Sequence, residues 1–150
     1  MLILHARTVY PVAADPLDDG AVAVEKDCIV GCGRFSELRA RFPQARVLDL
    51  TDCALLPGLI NAHAHLELSA LRGRVPFRGD FIDWVVRLMA ARDNSKIPLQ
   101  QIIRKGCTQS LHAGVTTVGD ICYEHRAAPI PADLPIRKRC FAEVFGMTSN

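Results

Sequence analysis

Ala54-Leu55-Leu56-Pro57-Gly58-Leu59-Ile60-Asn61-Ala62-His63-Ala64-His65 is the stretch on which the reading of the fold turns. Its first seven residues are an apolar run suited to a buried strand, despite the Pro-Gly interruption. The run leads into two histidines separated by one residue. At i and i+2 of a strand, side chains emerge on one face, with Cα atoms roughly 6–7 Å apart. Two neutral imidazoles so placed can converge on one cation beyond the strand end, and Zn²⁺ accepts such nitrogens at about 2.0–2.1 Å. An isolated His-x-His is more often a structural or incidental pair. Here, however, the pair closes an apolar strand and precedes a polar, glycine-bearing loop. In parallel α/β folds, catalytic groups gather at that end of the strands.

Downstream, helical and strand patterns alternate. Asp80 precedes Phe81, Trp84, Val85, Leu88 and Met89, spaced i, i+3, i+4, i+7, i+8 on one helix face. A second helix opens with Pro98 in its first turn and repeats Leu99, Ile102, Ile103, Cys107, Ser110 and Leu111 before Gly114, a natural C′ residue. Val115–Ile121 and Cys140–Phe145 read as two buried strands, with a proline-rich loop, 127–135, between them. This alternation predicts parallel βα units.

Upstream, the chain reads as short strands and turns. Leu2–Tyr10 is β-favourable, Asp15-Pro16 and Asp18-Asp19-Gly20 form a turn cluster, and Ala21–Val24 and Cys28–Val30 flank a hairpin turn at Glu25-Lys26-Asp27. Gly31-Cys32-Gly33 closes that hairpin. Ser36 is placed to cap a short helix, Glu37–Phe42, stopped by Pro43. Val47–Leu50 is a further strand, ended by Thr51-Asp52. Residues 1–53 are therefore expected as a small β-rich unit, and 54–150 as the α/β unit.

Composition narrows the function classes. The chain has 150 residues, 49% hydrophobic and 23% charged, with a formal charge of +2. Such a chain is long enough for a core and too apolar for disorder. The near-neutral balance gives no support to a nucleic-acid or anionic-membrane surface. The basic groups Arg72/Arg74/Arg78 and Arg137-Lys138-Arg139 lack interleaved aromatics and read as solvated surface. No window approaches the roughly 18 apolar residues of a membrane span, and the start is a poor signal peptide. The six cysteines are scattered without a CxxC pair, so a reducing cytoplasm is the simplest expectation.

Leu56-Pro57-Gly58-Leu59-Ile60-Asn61-Ala62-His63-Ala64-His65-Leu66-Glu67 resembles the first barrel strand of the amidohydrolase superfamily, whose motif is PG-(hydrophobic)₂-(D/N)-x-H-x-H. Leu71-Arg72-Gly73, Phe81-Ile82-Asp83-Trp84 and the run Ala113-Gly114-Val115-Thr116-Thr117-Val118-Gly119-Asp120 match in kind and order. The branch it is similar to contains atrazine chlorohydrolase-like enzymes and S-adenosylhomocysteine, guanine and aminodeoxyfutalosine deaminases. His65-Leu66-Glu67-Leu68-Ser69 most resembles the aminodeoxyfutalosine deaminase-like members.

The resemblance implies the first βα units of a (β/α)₈ metal-dependent hydrolase barrel, about three strands of it, behind the N-terminal part of a small β-sandwich. It implies that His63 and His65 are ligands of one divalent metal, with Zn favoured and Fe or Mn compatible. The reaction implied is hydrolytic deamination of an amino-heterocycle or nucleoside-like small molecule. The remaining ligands and the proton-transfer residues are expected beyond Asn150, because 54–150 is far short of the about 250 residues of a full barrel. The chain alone is therefore expected to be inactive, and its longer parent is compatible with a homo-oligomer. Dechlorination or cyclic-amide hydrolysis through the same ligands is the enzymatic alternative, and a truncated, non-catalytic interaction module is the other.

Several residues carry two readings. Glu67 either lines the substrate pocket or is a solvated loop acid. Glu143, the one charge within Cys140–Phe145, needs a partner inside a buried strand and is a second substrate-pocket candidate. Asp120 either lines the same mouth or caps a helix. Asp93 reads as a helix-end acid, His112 as surface or dipole-paired, His5 and His125 as surface, and Trp84 as core. Three decoys fall away. His65-Leu66-Glu67 has no P-C-x-x-C partner of the cytidine deaminases. The Gly31 region lacks a third dinucleotide-loop glycine, and no G-x-S-x-G elbow occurs.

Overall fold

The computed structural model describes residues 1–123 and 128–143, which divide into two compact units, Met1–Pro57 and Gly58–Asn150. The first unit is a four-stranded sheet in the order β3-β2-β1-β4, formed by β1 (Leu2–Val9), β2 (Leu17–Glu25), β3 (Cys28–Arg34) and β4 (Arg46–Leu55). β1–β2 and β2–β3 are antiparallel, whereas β1 and β4 run parallel. The β2–β3 hairpin turns at Lys26-Asp27, as the sequence predicts, with Lys26 at φ 56°. Alternate residues of β2 face opposite ways. Ala21 and Ala23 join Ile3, Leu38 and Ala45 under α1 (Phe35–Arg41), while Val22 joins Ala6 and Val9 in a second cluster.

Four expectations for this unit need correction. Thr51-Asp52 does not end a strand but lies inside β4, at the irregularity where its register with β1 shifts. Asp18-Asp19-Gly20 lies inside β2, where pairing with β1 draws it into the ladder. Ser36 does not cap α1, which begins at Phe35 after Arg34 and has no side-chain cap. His5 is not surface: it is stacked on Phe35 at 3.8 Å and paired with Asp19 at 2.7 Å.

The second unit is a parallel sheet, β5-β6-β7, formed by β5 (Leu59–Ala64), β6 (Val115–Tyr123) and β7 (Arg137–Glu143). Two helices lie between β5 and β6, α2 (Phe81–Asp93) and α3 (Leu99–His112). Both obey the predicted signals. The Asp80 carboxylate accepts the Asp83 amide at 2.9 Å as N-cap, and α3 follows Pro98 and is left through Gly114 at φ +77°. α3 buries Ile103 and Cys107 against Val118 of β6, Leu66 and Ile136. His112 ends α3 and is exposed, as read.

The apolar run 54–60 is not one buried strand. Pro57 and Gly58 separate β4 from β5, so Ala54 and Leu55 pair with β1 in the first unit. β5 is an edge of its sheet, and Leu59 and Ile60 are exposed to 52% and 73%. The loop after His65 is also more ordered than its composition suggests, since it opens as a 3₁₀ turn, Leu66–Leu71, that buries Leu66, Glu67, Ala70 and Leu71. β7 begins at Arg137, so the Arg137-Lys138-Arg139 run is strand rather than free surface. Strand alternation turns Lys138 inward between two exposed arginines. His125, Ala127, Val144 and Phe145 lie outside the described residues. No helix among the described residues is long and apolar enough to cross a membrane.

Candidate active site

His63 is the fifth residue of β5, and His65 follows the strand's last residue, Ala64. Their rings sit 5.2 Å apart between centroids, at 68° to one another. His63 is exposed and His65 is half-buried. The Asn61 side chain holds the backbone here by accepting the His63 amide at 3.2 Å. β5 is also pressed against β6 at this point. A Cβ added to Gly119 would stand 2.4 Å from the Ala62 carbonyl oxygen, so the strand that carries both histidines reaches its position only against a glycine.

Asp120 explains how the chain is fixed just after His65. It lies within β6, fully buried, and its Oδ1 accepts the Leu66 backbone N–H at 2.9 Å. Its Oδ2 accepts from Lys138 Nζ at 3.0 Å, and the same ammonium donates to the Ala128 carbonyl at 2.6 Å. Asp120 therefore does not line a mouth; it accepts the first amide of the 3₁₀ turn Leu66–Leu71 from across the sheet. It is a buried anchor between β6, β7 and the turn that starts at Leu66. Sequence reading missed this because its partners are 54 and 18 residues away.

Glu67 is 3% exposed, which removes the solvated-loop reading. It pairs with Arg92 of α2 at 3.4 Å, and Arg92 in turn donates from Nε to Asp93 at 2.9 Å and lies 5.2 Å over the Tyr123 ring. Desolvation works against the Arg92 charge, but Asp93 and Glu67 together raise its pKa above the ordinary arginine value. Arg92 carried no signal in the sequence beyond its place in the last turn of α2. Asp93, by contrast, is a helix-end acid as read, 58% exposed.

Glu143 closes the arrangement from β7. Its Oε2 stands 3.9 Å from His65 Nδ1, too long for a hydrogen bond but close enough for charge to act on the ring. His65, Glu67, Arg92 and Glu143 share a cavity of about 180 Å³ with an apolar wall that includes Trp84 and Leu88. Trp84 is half-buried in that wall rather than in the core, with its indole N–H donated to the Val75 carbonyl at 3.0 Å.

The donor chemistry fits a divalent cation at His63 and His65: two imidazoles face each other's neighbourhood at a strand end, and a carboxylate lies behind one of them. Among the described residues the one three-donor grouping is elsewhere, at Asp120, Cys122 and Cys140, so the histidine pair by itself offers two donors.

Comparisons with known proteins follow the same lines. Residues 54–147 match the model of the amidohydrolase family, and residues 20–45 match a bacterial imidazolonepropionase-like composite domain. A 5-methylthioadenosine/S-adenosylhomocysteine deaminase of Nitratidesulfovibrio vulgaris is 30% identical over 107 residues, covering 70% of this chain and 24% of the relative. The solved aminofutalosine deaminase of Helicobacter pylori superposes with a TM-score of 0.76 at 23% identity, over 100% of this chain and 37% of that one. An adenosine deaminase from Xanthomonas campestris with bound zinc superposes with a TM-score of 0.69 at 31% identity, over 82% and 29%. The chain thus spans 24–37% of the length of these proteins.

Proposed function

Because the chain belongs to the amidohydrolase family, we propose that it contributes the first metal ligands and part of the substrate pocket of a hydrolytic deaminase acting on an amino-heterocycle of nucleoside type. The observation that carries this reading is the position of the His63–His65 pair, 5.2 Å between rings at the end of β5, with His65 lining a cavity beside it. The relatives named as deaminases of adenosine-type compounds support the substrate class.

His63 and His65 hold the divalent cation, with zinc the first choice because a zinc-bound relative shares the fold. The chemistry such an ion supplies is acidification of water, which makes hydroxide available near neutral pH. The overall reaction replaces an exocyclic amine with oxygen from water and releases ammonia. Glu143, 3.9 Å from Nδ1 of His65, sets a carboxylate beside the ring on the side away from its other nitrogen. Asp120 and Asn61 fix the backbone on either side of the pair, one at Leu66 and the other at His63. Trp84 and Leu88 offer an apolar wall to a flat ring, while Glu67, held by Arg92, presents a carboxylate for substrate N–H or O–H groups.

The test is zinc binding by the intact chain, with His63→Ala and His65→Ala alongside. Each variant is expected to lose zinc while keeping the wild-type circular dichroism spectrum. Ammonia release from 5-methylthioadenosine and S-adenosylhomocysteine is then measured with the longest product of the reading frame. Equal zinc content in wild type and both variants would sink the ligand assignment, and zinc binding without ammonia release would sink the substrate class.

A further inference from the structure

We propose that Cys122 and Cys140 are a reversible dithiol–disulfide pair that exchanges with small-molecule disulfides, a modification site separate from the histidine pair. Their sulfurs lie 2.7 Å apart on adjacent strands, β6 and β7. Register places Asp120 opposite Cys140 and Cys122 opposite Ala142, so the two cysteines are a diagonal pair on one face of the sheet. The remaining gap to a disulfide of 2.03–2.05 Å is about 0.7 Å. The strands are already joined by their ladder, so closure orders no new segment of chain. No other two cysteines come into sulfur contact among the described residues.

The surroundings favour oxidation over metal capture. Asp120 would be the third donor of a metal site, but its two oxygens are engaged by the Leu66 amide and the Lys138 ammonium. That ammonium also opposes a cation. Burial, and then the contact with Cys140, push the Cys122 thiol up to about 12, which makes it the slower of the two to act as a thiolate. A disulfide carries no charge, and the same desolvation does not oppose it.

The exchange begins at Cys140, which is exposed, whereas Cys122 is buried. The Cys140 thiolate attacks one sulfur of the small disulfide, the S–S bond breaks, and one small thiolate leaves and takes up a proton. The Cys122 sulfur then attacks Cys140 in the mixed disulfide, its proton passing to the second departing thiolate. Two protein thiols are thus oxidised by two electrons, and one small disulfide is reduced to two thiols.

The experiment is incubation of the intact chain with oxidised glutathione, followed by digestion and peptide mass mapping. The expected product is a peptide linking Cys122 to Cys140, two hydrogens lighter than the reduced pair and reopened by dithiothreitol. Cys122→Ser is expected to trap glutathione on Cys140, whereas Cys140→Ser leaves Cys122 unmodified. A stable glutathione adduct on wild-type Cys140 would overturn the proposal. So would the absence of a Cys122–Cys140 link under conditions that modify the exposed Cys28. Because the wild-type map alone decides, misfolding of either variant leaves the test intact.

Discussion

Asp120 Oδ1 accepts the backbone N–H of Leu66 at 2.9 Å, joining the residue after His65 to a strand 54 positions away. The same carboxylate neutralises Lys138, which is 9% exposed. Two neighbours that carry no local signal for each other thereby fix where the histidine-bearing strand ends.

Removing one member of that ion pair strands a buried charge, which costs about 3–5 kcal/mol. Asp120→Ala is expected to lower stability by that amount in urea denaturation. Lys138→Met falls in the same range, while Asp120→Asn/Lys138→Met recovers most of the loss, because the amide oxygen still receives the Leu66 N–H and no charge remains. A double variant no better than the singles contradicts the ion-pair account.

Arg92→Met takes the cation from Glu67, which is buried to 3% exposure, and from the Tyr123 ring. The expected cost is about 3 kcal/mol or more by denaturant unfolding. Adding Glu67→Gln should restore stability, since the carboxylate that needed the guanidinium is then neutral. If Arg92→Met unfolds at the wild-type midpoint, the pair contributes nothing.

Gly119→Ala would bring a methyl group to 2.4 Å from the Ala62 carbonyl oxygen, which β5 can avoid only by moving. A loss of about 1–3 kcal/mol is expected from overpacking. Amide chemical shifts from Asn61 to His65 should move in an NMR spectrum. An unchanged β5 spectrum would show that the strands are not pressed together there.

Asp133 meets Arg104 through two hydrogen bonds of 2.7 and 2.8 Å, tying the loop before β7 to α3. The Arg104 hydrogen bonds, then its own backbone amide and the guanidinium charge, hold the Asp133 carboxyl below the usual aspartate pKa. A depressed folded-state pKa gives stabilisation that is present above the unfolded value and lost as pH falls through the folded one. Carboxyl-carbon NMR titration should therefore place the Asp133 midpoint below that of an unpaired aspartate, and Arg104→Gln should return it. An unshifted midpoint in the wild type would remove the contact from solution.

What the sequence showed plainly was local. Asp80, the apolar spacing from Phe81 to Met89, and the Pro98 and Gly114 boundaries place α2 and α3, because caps and 3.6-residue periodicity act within a few residues. The His63–His65 pair was legible for the same reason. Less visible was everything decided across the sheet. Leu59 and Ile60 are apolar, yet exposed, because no described element packs over their side chains. Lys138 reads as surface beside two arginines until β7 is known to start at Arg137 and alternation turns it inward. The Glu67–Arg92 pair joins a 3₁₀ turn to a helix 25 residues on, where no motif connects them.

The parallel pairing of β5 with β6 also sets an order of events during synthesis. All four strands of the first sheet have been made once Leu55 is added, whereas Leu59 pairs with Val115 and must wait for both helices to be translated. At about 5–20 residues per second, that wait lasts roughly 3–11 s. Throughout it, a nascent strand bearing Leu59 and Ile60 has no ladder partner from its own sheet. The pairing of the four N-terminal strands therefore needs no residue made after Leu55, whereas the histidine-bearing strand is held in register only by residues made much later.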